Sequence, residues 1–218
     1  MAGDPWGELR AAAAALDLGL PPGFEGQARA YLDALQRWER IGRLTGYASS
    51  TLRVRHLLIE SLMLLRAVPE PGTPLLDIGS GPGVPGLIVK LARPAWDVAL
   101  IEATRRRANF LRDVSRRLGL TGVAVQEGRA EALGSGVLAG RFQTVTMRAV
   151  ASVDDAGGLA APFLQPEGVL VQALGRAPAP RRGVVREVVL SARGELPWRR
   201  RFLIIRRTEL GADVSRGT

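Results

Sequence analysis

A glycine-rich segment directly after a short apolar run constrains the fold of this chain more than any other feature. The run is LLDI at residues 75–78, and the segment GSGPGVPG follows at residues 79–86. Apolar residues around one acid predict a buried strand, and the glycines predict a tight turn opening into a helix over residues 87–91. Glycine takes positive φ and lets a ligand approach the backbone with no Cβ in the way. The segment therefore predicts a cofactor-binding loop at a strand end.

Two cofactors compete for this loop. Residues 81–86 match G-x-G-x-x-G, the turn that binds the pyrophosphate of a dinucleotide. Asp77 argues against a dinucleotide, because a carboxylate two residues before the first glycine would lie beside the phosphates. S-adenosylmethionine has an ammonium, a sulfonium and no phosphate, so the acid favours this methyl donor. A nicotinamide enzyme and a plain connecting turn are the weaker alternatives; four glycines make a plain turn costly in backbone entropy.

Composition excludes several classes of protein. The chain has 218 residues, enough for one sizeable domain with a modest extension. It has no cysteine and one histidine, His56, which rules out disulfides and cysteine-based zinc sites. We expect no metal site. The first twenty residues lack the basic and apolar pattern of a secretory signal, and no apolar run is long enough to span a bilayer. The sequence therefore predicts a cytoplasmic protein with no membrane partner.

The formal charge of the chain is +9, and this charge suits a polyanionic partner. Lys90 is the only lysine, so arginine supplies almost all of the positive charge. Four arginine clusters are candidates for an RNA-facing surface, and a solvated face is the alternative for any single cluster. They are Arg105-Arg106-Arg107, Arg116-Arg117, Arg181-Arg182 and Arg199-Arg200-Arg201.

The first third of the chain predicts three helices. An alanine-rich stretch predicts a helix within residues 6–20, and helices are also predicted from Phe24 to Leu44 and from Thr51 to Val68. The second helix carries an apolar stripe at helical spacing that we expect in the core, made of Tyr31, Leu35, Trp38 and Ile41. Five leucines of the third helix are also expected to be buried: Leu52, Leu57, Leu58, Leu62 and Leu65. Residues 1–72 are therefore predicted to form a helical N-terminal cap.

From residue 73 to residue 218 the pattern alternates between strand and helix, which predicts a parallel sheet covered by helices. The expected fold class is α/β, a Rossmann-like class I methyltransferase sheet of seven mostly parallel strands, closed by an antiparallel hairpin. The predicted strands are 75–78, 97–102, 123–126, 142–147, 168–173, 184–190 and 201–207. The helices between them are predicted at 104–118, 130–133 and 153–164.

Ligands of open α/β sheets bind outside the carboxyl ends of the strands, so the residues there are the candidate site. Glu102 ends the second strand, where a carboxylate can accept both ribose hydroxyls. Ala130 and Glu131 follow the third strand, where a methyltransferase holds the adenine, although an acid at a helix start is also ordinary. Arg148 ends the fourth strand and faces the transferred methyl group in such a fold. A structural salt bridge is the alternative for Arg148.

The combination of motifs resembles one family. Residues 75–86, 107–111, 128–131 and 148–152, together with Arg55-His56, are similar to the bacterial 16S ribosomal RNA guanine-N7 methyltransferases, also called glucose-inhibited division protein B. The resemblance runs from about residue 31 to residue 174. It implies methyl transfer from S-adenosylmethionine to N7 of a guanine in 16S rRNA. The positions that it assigns to the cofactor are Gly79, Val84, Ala130, Glu131 and Arg148.

Guanine N7 has a lone pair and no proton, so methylation there needs no general base. Positioning can supply most of the rate acceleration. Arg148 is the predicted catalytic residue, orienting the cofactor and the edge of the base. His56 is a candidate for RNA contact and equally for a packing role. The complete predicted cofactor site is Asp77, Gly79, Gly81, Gly83, Val84, Glu102, Ala130, Glu131 and Arg148.

Three positions depart from the pattern of this family. Arg43 stands where the family usually has asparagine, Glu60 where it has aspartate, and Gly175-Arg176 where it has lysine-glycine. These positions concern the substrate, so a different RNA or a small molecule stays open as acceptor, as does a non-catalytic RNA-binding protein with this fold. The expected partner is 16S rRNA or the small ribosomal subunit, and the expected state is a monomer.

Overall fold

A seven-stranded sheet organises the protein. The computed structural model describes residues 4–148, 152–174, 183–190 and 198–210. The strands run in the order β3-β2-β1-β4-β5-β7-β6, with β1 to β5 parallel and β7 antiparallel to β5 and β6. This topology confirms the predicted mostly parallel sheet and its closing hairpin. The strands are β1 Leu75–Ile78, β2 Val98–Glu102, β3 Val123–Glu127, β4 Phe142–Met147, β5 Leu164–Ala173, β6 Val184–Leu190 and β7 Trp198–Arg206.

Helices precede the sheet and cover it. Asp4 caps the first helix, its carboxylate accepting from the Trp6 N–H at 3.0 Å, and Ser49 caps the third. Within the described ranges, no helix has both the length and the apolar character needed to cross a membrane. The helices are α1 Pro5–Ala15, α2 Phe24–Glu39, α3 Ser50–Arg53, a π-helical segment Val54–Ile59, α4 Glu60–Ala67, α5 Gly86–Ala92, α6 Arg105–Arg117, α7 Ala130–Leu133, α8 Val153–Ala160 and α9 Arg207–Leu210.

The second helix is shorter than its sequence predicts. It ends at Glu39 and not at Leu44, because the Arg106 guanidinium of α6 binds the carbonyls of Trp38 and Gly42. Ile41 consequently lies in the loop with 82% of its surface exposed, so its assignment to the core stripe is wrong. Leu52 is also misassigned: it is 40% exposed in the first turn of a helix.

Two boundaries shift around β5. The sequence predicts a helix to Leu164 and a strand from Gly168, whereas α8 ends at Ala160 and β5 begins at Leu164. Pairing with β4 explains the change, since Phe142 pairs with Leu164 and its N–H donates to the Phe163 carbonyl at 3.0 Å. Tertiary pairing therefore overrides the local helical pattern.

The helices of the first third share one apolar core with the sheet. Leu58 and Leu62 are fully buried and belong to the same cluster of buried side chains as Ile88 of α5 and Val171 of β5. Burying such side chains contributes about 1.5–3 kcal/mol each, relative to leaving them exposed. The division into a cap (1–72) and a domain (73–218) stays a prediction, and the shared core couples the two parts.

Helix α2 also contacts the glycine loop directly. The buried Tyr31 hydroxyl donates to the Pro82 carbonyl at 2.7 Å, and burial raises the pKa of Tyr31. Trp38, two turns further along, donates its indole N–H to Asp113 of α6 at 3.0 Å. The middle of the helix is thereby fixed to the glycine loop, and its C-terminal end is fixed to α6.

Tyr31→Phe is expected to lower the free energy of unfolding by about 1–2 kcal/mol, because the half-buried Pro82 carbonyl loses its donor. The measurement is urea unfolding followed by circular dichroism. Tyr47→Phe is the matched control, since the half-buried Tyr47 hydroxyl makes no hydrogen bond among the described residues. Equal stability of the two variants would show that the Tyr31–Pro82 bond does not hold the loop.

Candidate functional site

The carboxyl ends of four parallel strands meet at one edge of the sheet. Ile78 of β1 pairs with Ile101 of β2 on one side and with Met147 of β4 on the other. Glu102 pairs with Glu127 at the end of β3. The segments that leave these strands at residues 79, 103, 128 and 148 therefore start side by side. The structure thus brings the strand-end residues of the predicted site together.

The glycines of the loop have two different tasks. Gly79, Gly81 and Gly83 have φ of +70°, +55° and +92°, which favour glycine. A Cβ on Gly81 would meet nothing nearer than 3.8 Å, so the space above that residue is open. A Cβ on Gly86 would lie 2.4 Å from a Leu100 methyl carbon. Gly81 therefore leaves room for a ligand, and Gly86 lets α5 pack on the sheet.

Val84 was predicted as a cofactor contact. Its side chain is 3% exposed and belongs to the main core cluster, and its N–H donates to the Ser80 carbonyl at 3.1 Å. The valine side chain therefore anchors the loop to the core. Its backbone is the part that is available to the predicted cofactor, and that contact stays a prediction.

Glu102 fixes the start of the loop. Its carboxylate is 5% exposed and accepts the Gly81 N–H at 2.8 Å and the Thr104 N–H at 2.8 Å. A carboxylate has about four lone-pair positions, so two backbone hydrogen bonds leave acceptor capacity for ligand hydroxyls. The predicted ribose contact remains compatible with this geometry. The direct bond from Gly81 to Glu102 is a feature that the sequence did not indicate.

Asp77 fixes the other end of the loop. Its carboxylate is 1% exposed and accepts from the Gly86 N–H at 3.0 Å and the Thr146 hydroxyl at 3.1 Å. Burial raises the pKa of Asp77 to about 6, and these hydrogen bonds and the positive charge of Arg148 lower it in part. The sequence predicted Asp77 as a partner of the cofactor. The structure shows a loop-holding role, and contact with the cofactor stays a prediction.

The predicted adenine contacts lie at α7. Ala130 is 7% exposed and Glu131 is exposed, both in the first turn after the loop that leaves β3. Together with Asp155, Leu159 and Pro162, they line a surface depression of about 630 Å³. The Glu131 carboxylate and the Ala130 backbone therefore lie beside open space, which suits their predicted contact with adenine. Among the described residues no group of three or more potential metal ligands occurs.

Arg148 reaches the helical part of the chain. Its guanidinium donates to the His56 carbonyl at 2.7 Å and lies 3.4 Å from the Glu60 carboxylate. The side chain is 24% exposed, so this charge at the strand end is partly neutralised and partly accessible. The sequence left a salt bridge open as the alternative to a catalytic role, and the structure contains that salt bridge.

Glu60 binds three side chains that come from different parts of the chain: those of His56, Arg148 and Arg200. Its carboxylate lies 2.8 Å from His56 Nδ1 and also binds the guanidiniums of Arg148 and Arg200. The sequence singled out Glu60 only as a departure from the family pattern. Its spacing of four residues from His56 could have indicated the first contact, but nothing in the sequence indicates the contact with β7.

An aromatic stack beside Glu60 was missed by the sequence analysis. The His56 ring lies between Tyr47, at 4.6 Å between centroids, and Trp198 of β7, at 6.2 Å, with interplanar angles of 16° and 15°. The two partners come from a loop and from a strand more than 140 residues later. Only the fold brings them together.

Several arginines of the predicted clusters are bound to groups within the protein. Arg106 is bound to backbone carbonyls, and Arg116 and Arg117 both pair with Asp113 at 2.8 Å. Arg199 pairs with Glu187, whereas Arg200 turns to Glu60. Arg181 and Arg182 lie outside the described residues, as do Gly175 and Arg176. Arg105 and Arg107, at the start of α6, make no ion pair or side-chain hydrogen bond within the part of the chain that the structure describes.

Comparison with known proteins gives consistent results. The family model for rRNA small subunit methyltransferase G, GidB, matches residues 25–181. A relative named ribosomal RNA small subunit methyltransferase G from Sorangium cellulosum is 40% identical over 148 residues, covering 67% of this chain and 62% of the relative. One of the same name from Xylella fastidiosa is 38% identical, covering 68% of both chains. The chain therefore spans about two thirds of the length of these relatives.

Solved structures are similar in fold. A cofactor-bound Rv0187 from MTB has a TM-score of 0.55 at 18% identity, covering 84% of this chain and 90% of that chain. A mutant of MtNAS in complex with S-adenosylmethionine has a TM-score of 0.51 at 17% identity, covering 81% and 72%. At these identities the likeness extends to the fold, which agrees with the predicted class I methyltransferase sheet.

The two tasks of the loop glycines can be separated by substitution. Gly86→Ala is expected to lower the free energy of unfolding by about 1–3 kcal/mol, because its Cβ would collide with Leu100. Gly81→Ala is expected to cost about 1–2 kcal/mol through its left-handed φ and, beyond that, to weaken S-adenosylmethionine binding about tenfold or more. Urea unfolding and titration calorimetry measure the two effects.

Gly26→Ala is the control for both glycine variants. Gly26 lies in α2 with open space around its Cα, so alanine is expected to stabilise the protein slightly. If Gly81→Ala bound the methyl donor as tightly as the unchanged chain, the ligand would have to lie away from this loop.

Asp77→Asn is expected to change how stability depends on pH. Between pH 3.8 and about 6 the folded protein keeps a proton on Asp77 that the unfolded chain has lost, so stability falls as pH rises through this window. Asparagine keeps an acceptor for the Gly86 N–H and has no charge to bury. The variant should therefore be more stable at pH 7, by about 3 kcal/mol, with a flatter profile from pH 4 to 6.

Urea unfolding at a series of pH values tests this expectation. Asp33→Asn serves as control, because Asp33 is exposed on α2 and its loss should leave the profile unchanged. A less stable Asp77→Asn protein at pH 7 would mean that the ionised carboxylate, and not its protonated form, holds the loop.

Proposed function

The chain belongs to the rRNA small subunit methyltransferase G family, and we propose that it transfers a methyl group from S-adenosylmethionine to N7 of a guanine in 16S rRNA. The match of the family model over residues 25–181 carries this proposal, because that range contains the whole strand-end site from Asp77 to Arg148. The family name supplies the reaction and the rRNA substrate. The guanine, its N7 atom and an assembled small subunit as substrate are the finer parts of the proposal, together with a monomeric enzyme in the cytoplasm.

The residues of the site fit this methyl donor. Gly81 has positive φ and open space where a Cβ would stand, so a ligand can lie against the backbone of the loop. Glu102 and the start of α7 flank that space with acceptors for hydroxyl and amino groups. We propose that the loop, Glu102, Ala130 and Glu131 hold S-adenosylmethionine, which supplies an electrophilic methyl group when bound.

Acid–base groups are not needed for this reaction. S-adenosylmethionine would supply an electrophilic methyl group at this site, and guanine N7 has a lone pair and no proton, so the transfer would require no group that accepts a proton. The task of the protein is to hold the acceptor in line with the sulfur–methyl bond, which can supply about 7–11 kcal/mol of the barrier reduction. The carboxylates at the strand ends are engaged with backbone N–H groups, and this arrangement suits a structural role better than proton transfer.

Arg148 is placed to orient the acceptor. It follows β4, adjacent to the glycine loop that follows β1, and 24% of its side chain is exposed. We propose that its guanidinium contacts guanine O6 or a phosphate; a contact with N7 itself would occupy the lone pair that must react. The His56 carbonyl and Glu60 hold the guanidinium in that position.

A methyltransferase for another RNA acceptor is the second candidate. Glu60 stands where the family pattern has aspartate and binds both Arg148 and Arg200, so a departure from the pattern lies at the centre of the substrate side. Arg43, a second departure from the family pattern, is exposed in the loop after α2. The acceptor is therefore the part of the function that requires a direct measurement.

Transfer of labelled methyl from S-adenosylmethionine to small ribosomal subunits from a strain lacking this gene tests the function. We expect label at a single guanine N7, mapped by cleavage at the methylated base. Arg148→Ala should reduce kcat/KM by about tenfold or more, with S-adenosylmethionine affinity within about twofold of the unchanged chain.

Arg66→Ala is the matched control, because Arg66 is an exposed arginine of α4 outside the strand-end site. Label on another base or another RNA would support the second candidate. Full turnover by Arg148→Ala would remove Arg148 from the reaction.

A further inference from the structure

Three aromatic rings form a stack next to the end of β4. Tyr47, His56 and Trp198 lie nearly parallel, and each keeps part of its surface accessible to solvent. The His56 carbonyl accepts the hydrogen bond from Arg148, so the stack stands beside the residue proposed to orient the acceptor. Half-exposed parallel rings are the surface on which unpaired nucleobases stack.

Positive charge surrounds the same stack. The guanidinium carbon of Arg200 lies 5.6 Å from the centroid of Trp198, and that of Arg55 lies 5.7 Å from it. Arg55 is paired with Glu8 at 2.8 Å. Arg148 and Arg200 share the single carboxylate of Glu60, so among these three groups one positive charge is not balanced. Two guanidiniums around one carboxylate are suited to a phosphate as a second anion.

The π-helical segment explains how Arg148 is held here. In an α-helix the Glu60 N–H would bind the carbonyl of His56, four residues earlier. In this segment the Glu60 N–H donates instead to the Arg55 carbonyl, and the His56 carbonyl accepts from Arg148 at 2.7 Å. A single widened turn inside a helix often marks a functional site. Here it provides a backbone acceptor that points at the strand end.

Strand β7 supplies the other half of the arrangement. Trp198 and Arg200 are two residues apart and therefore share a face of the strand, whereas Arg199 points to the opposite face and pairs with Glu187. Both residues lie beyond residues 25–181, which match the family model. This half of the arrangement is thus a property of the chain's own C-terminal hairpin.

We propose that these elements form one binding site for an unpaired RNA nucleotide next to the methyl acceptor. The rings hold the base, the guanidiniums hold a phosphate, and the Glu60 carboxylate is the positioning residue for both guanidiniums. The proposal rests on the proposed function only in taking RNA as the ligand. Its members are Tyr47, His56, Trp198, Arg148, Arg200 and Glu60.

Fluorescence anisotropy with the full chain tests the site. The probe is a fluorescein-labelled single-stranded RNA hexamer containing one guanine, compared with the same hexamer in a duplex. Trp198→Ala is expected to weaken binding of the single strand about tenfold, since base–aromatic stacking accounts for effects of this size. Trp198→Phe should recover most of the affinity, and duplex binding should change less than twofold in either variant.

Arg200→Ala and its neighbour Arg199→Ala form the matched pair for the phosphate. Loss of one phosphate contact should lower the slope of log K against log salt by about 0.7 for a single strand. We expect this reduction for Arg200→Ala and no change of slope for Arg199→Ala. Glu60→Gln keeps an acceptor but loses the charge, and it should raise KM for small subunits several-fold with S-adenosylmethionine affinity unchanged.

If Trp198→Ala bound the single-stranded hexamer as tightly as the unchanged chain does, the proposal would be overturned. Identical salt slopes for Arg199→Ala and Arg200→Ala would also overturn it. Unfolding midpoints of Trp198→Phe and both arginine variants show that the proteins are folded. A further outcome is that the unchanged chain transfers no methyl group to small subunits while Trp198→Ala still shows weakened binding of the single-stranded hexamer. That result would support the nucleotide site and contradict the proposed function.

Discussion

Two buried carboxylates determine the shape of the loop on which the site depends. Glu102 accepts from the Gly81 N–H, and Asp77 accepts from the Gly86 N–H. A loop with four glycines would otherwise sample many conformations, and each ordered residue costs about 1–2 kcal/mol of backbone entropy. Each of these hydrogen bonds ties a backbone N–H of the loop to a buried side chain of the adjoining strand. The acids at the ends of β1 and β2 therefore select one loop conformation before any ligand arrives.

Asp77 and Glu102 therefore have a structural role in addition to their predicted role in binding the cofactor. The sequence pattern predicted Asp77 and Glu102 as partners of the cofactor, because acids at these strand ends complement an ammonium and a ribose. In the structure both are almost fully buried and bind the backbone of the loop. The residue types and positions could be predicted, since they follow from the order of strands and turns. The partners could not, because a backbone N–H becomes visible only when the turn has folded.

Sequence patterns predicted the sheet better than the connections between elements. Short runs of apolar and β-branched residues between turn signals identified the seven strands and the closing hairpin, because such runs are local features of the sequence. The end of α2 was misplaced, since Arg106, more than sixty residues later, binds the carbonyls at the end of that helix. The ring stack was missed for the same reason: Tyr47, His56 and Trp198 have no common periodicity. Contacts that cross the chain leave little trace in a local pattern.

The two sides of the site are consequently built in different ways. The proposed cofactor side consists of loops that leave neighbouring parallel strands, so it is specified wherever the sheet forms. The proposed substrate side requires a π-helical turn, the end of β4 and the hairpin strand β7 to meet at Glu60. A change in the hairpin can thus alter acceptor binding and leave the glycine loop intact. The proposed donor site and the proposed nucleotide site therefore depend on different parts of the fold, and Trp198 and Arg200 belong to the second part alone.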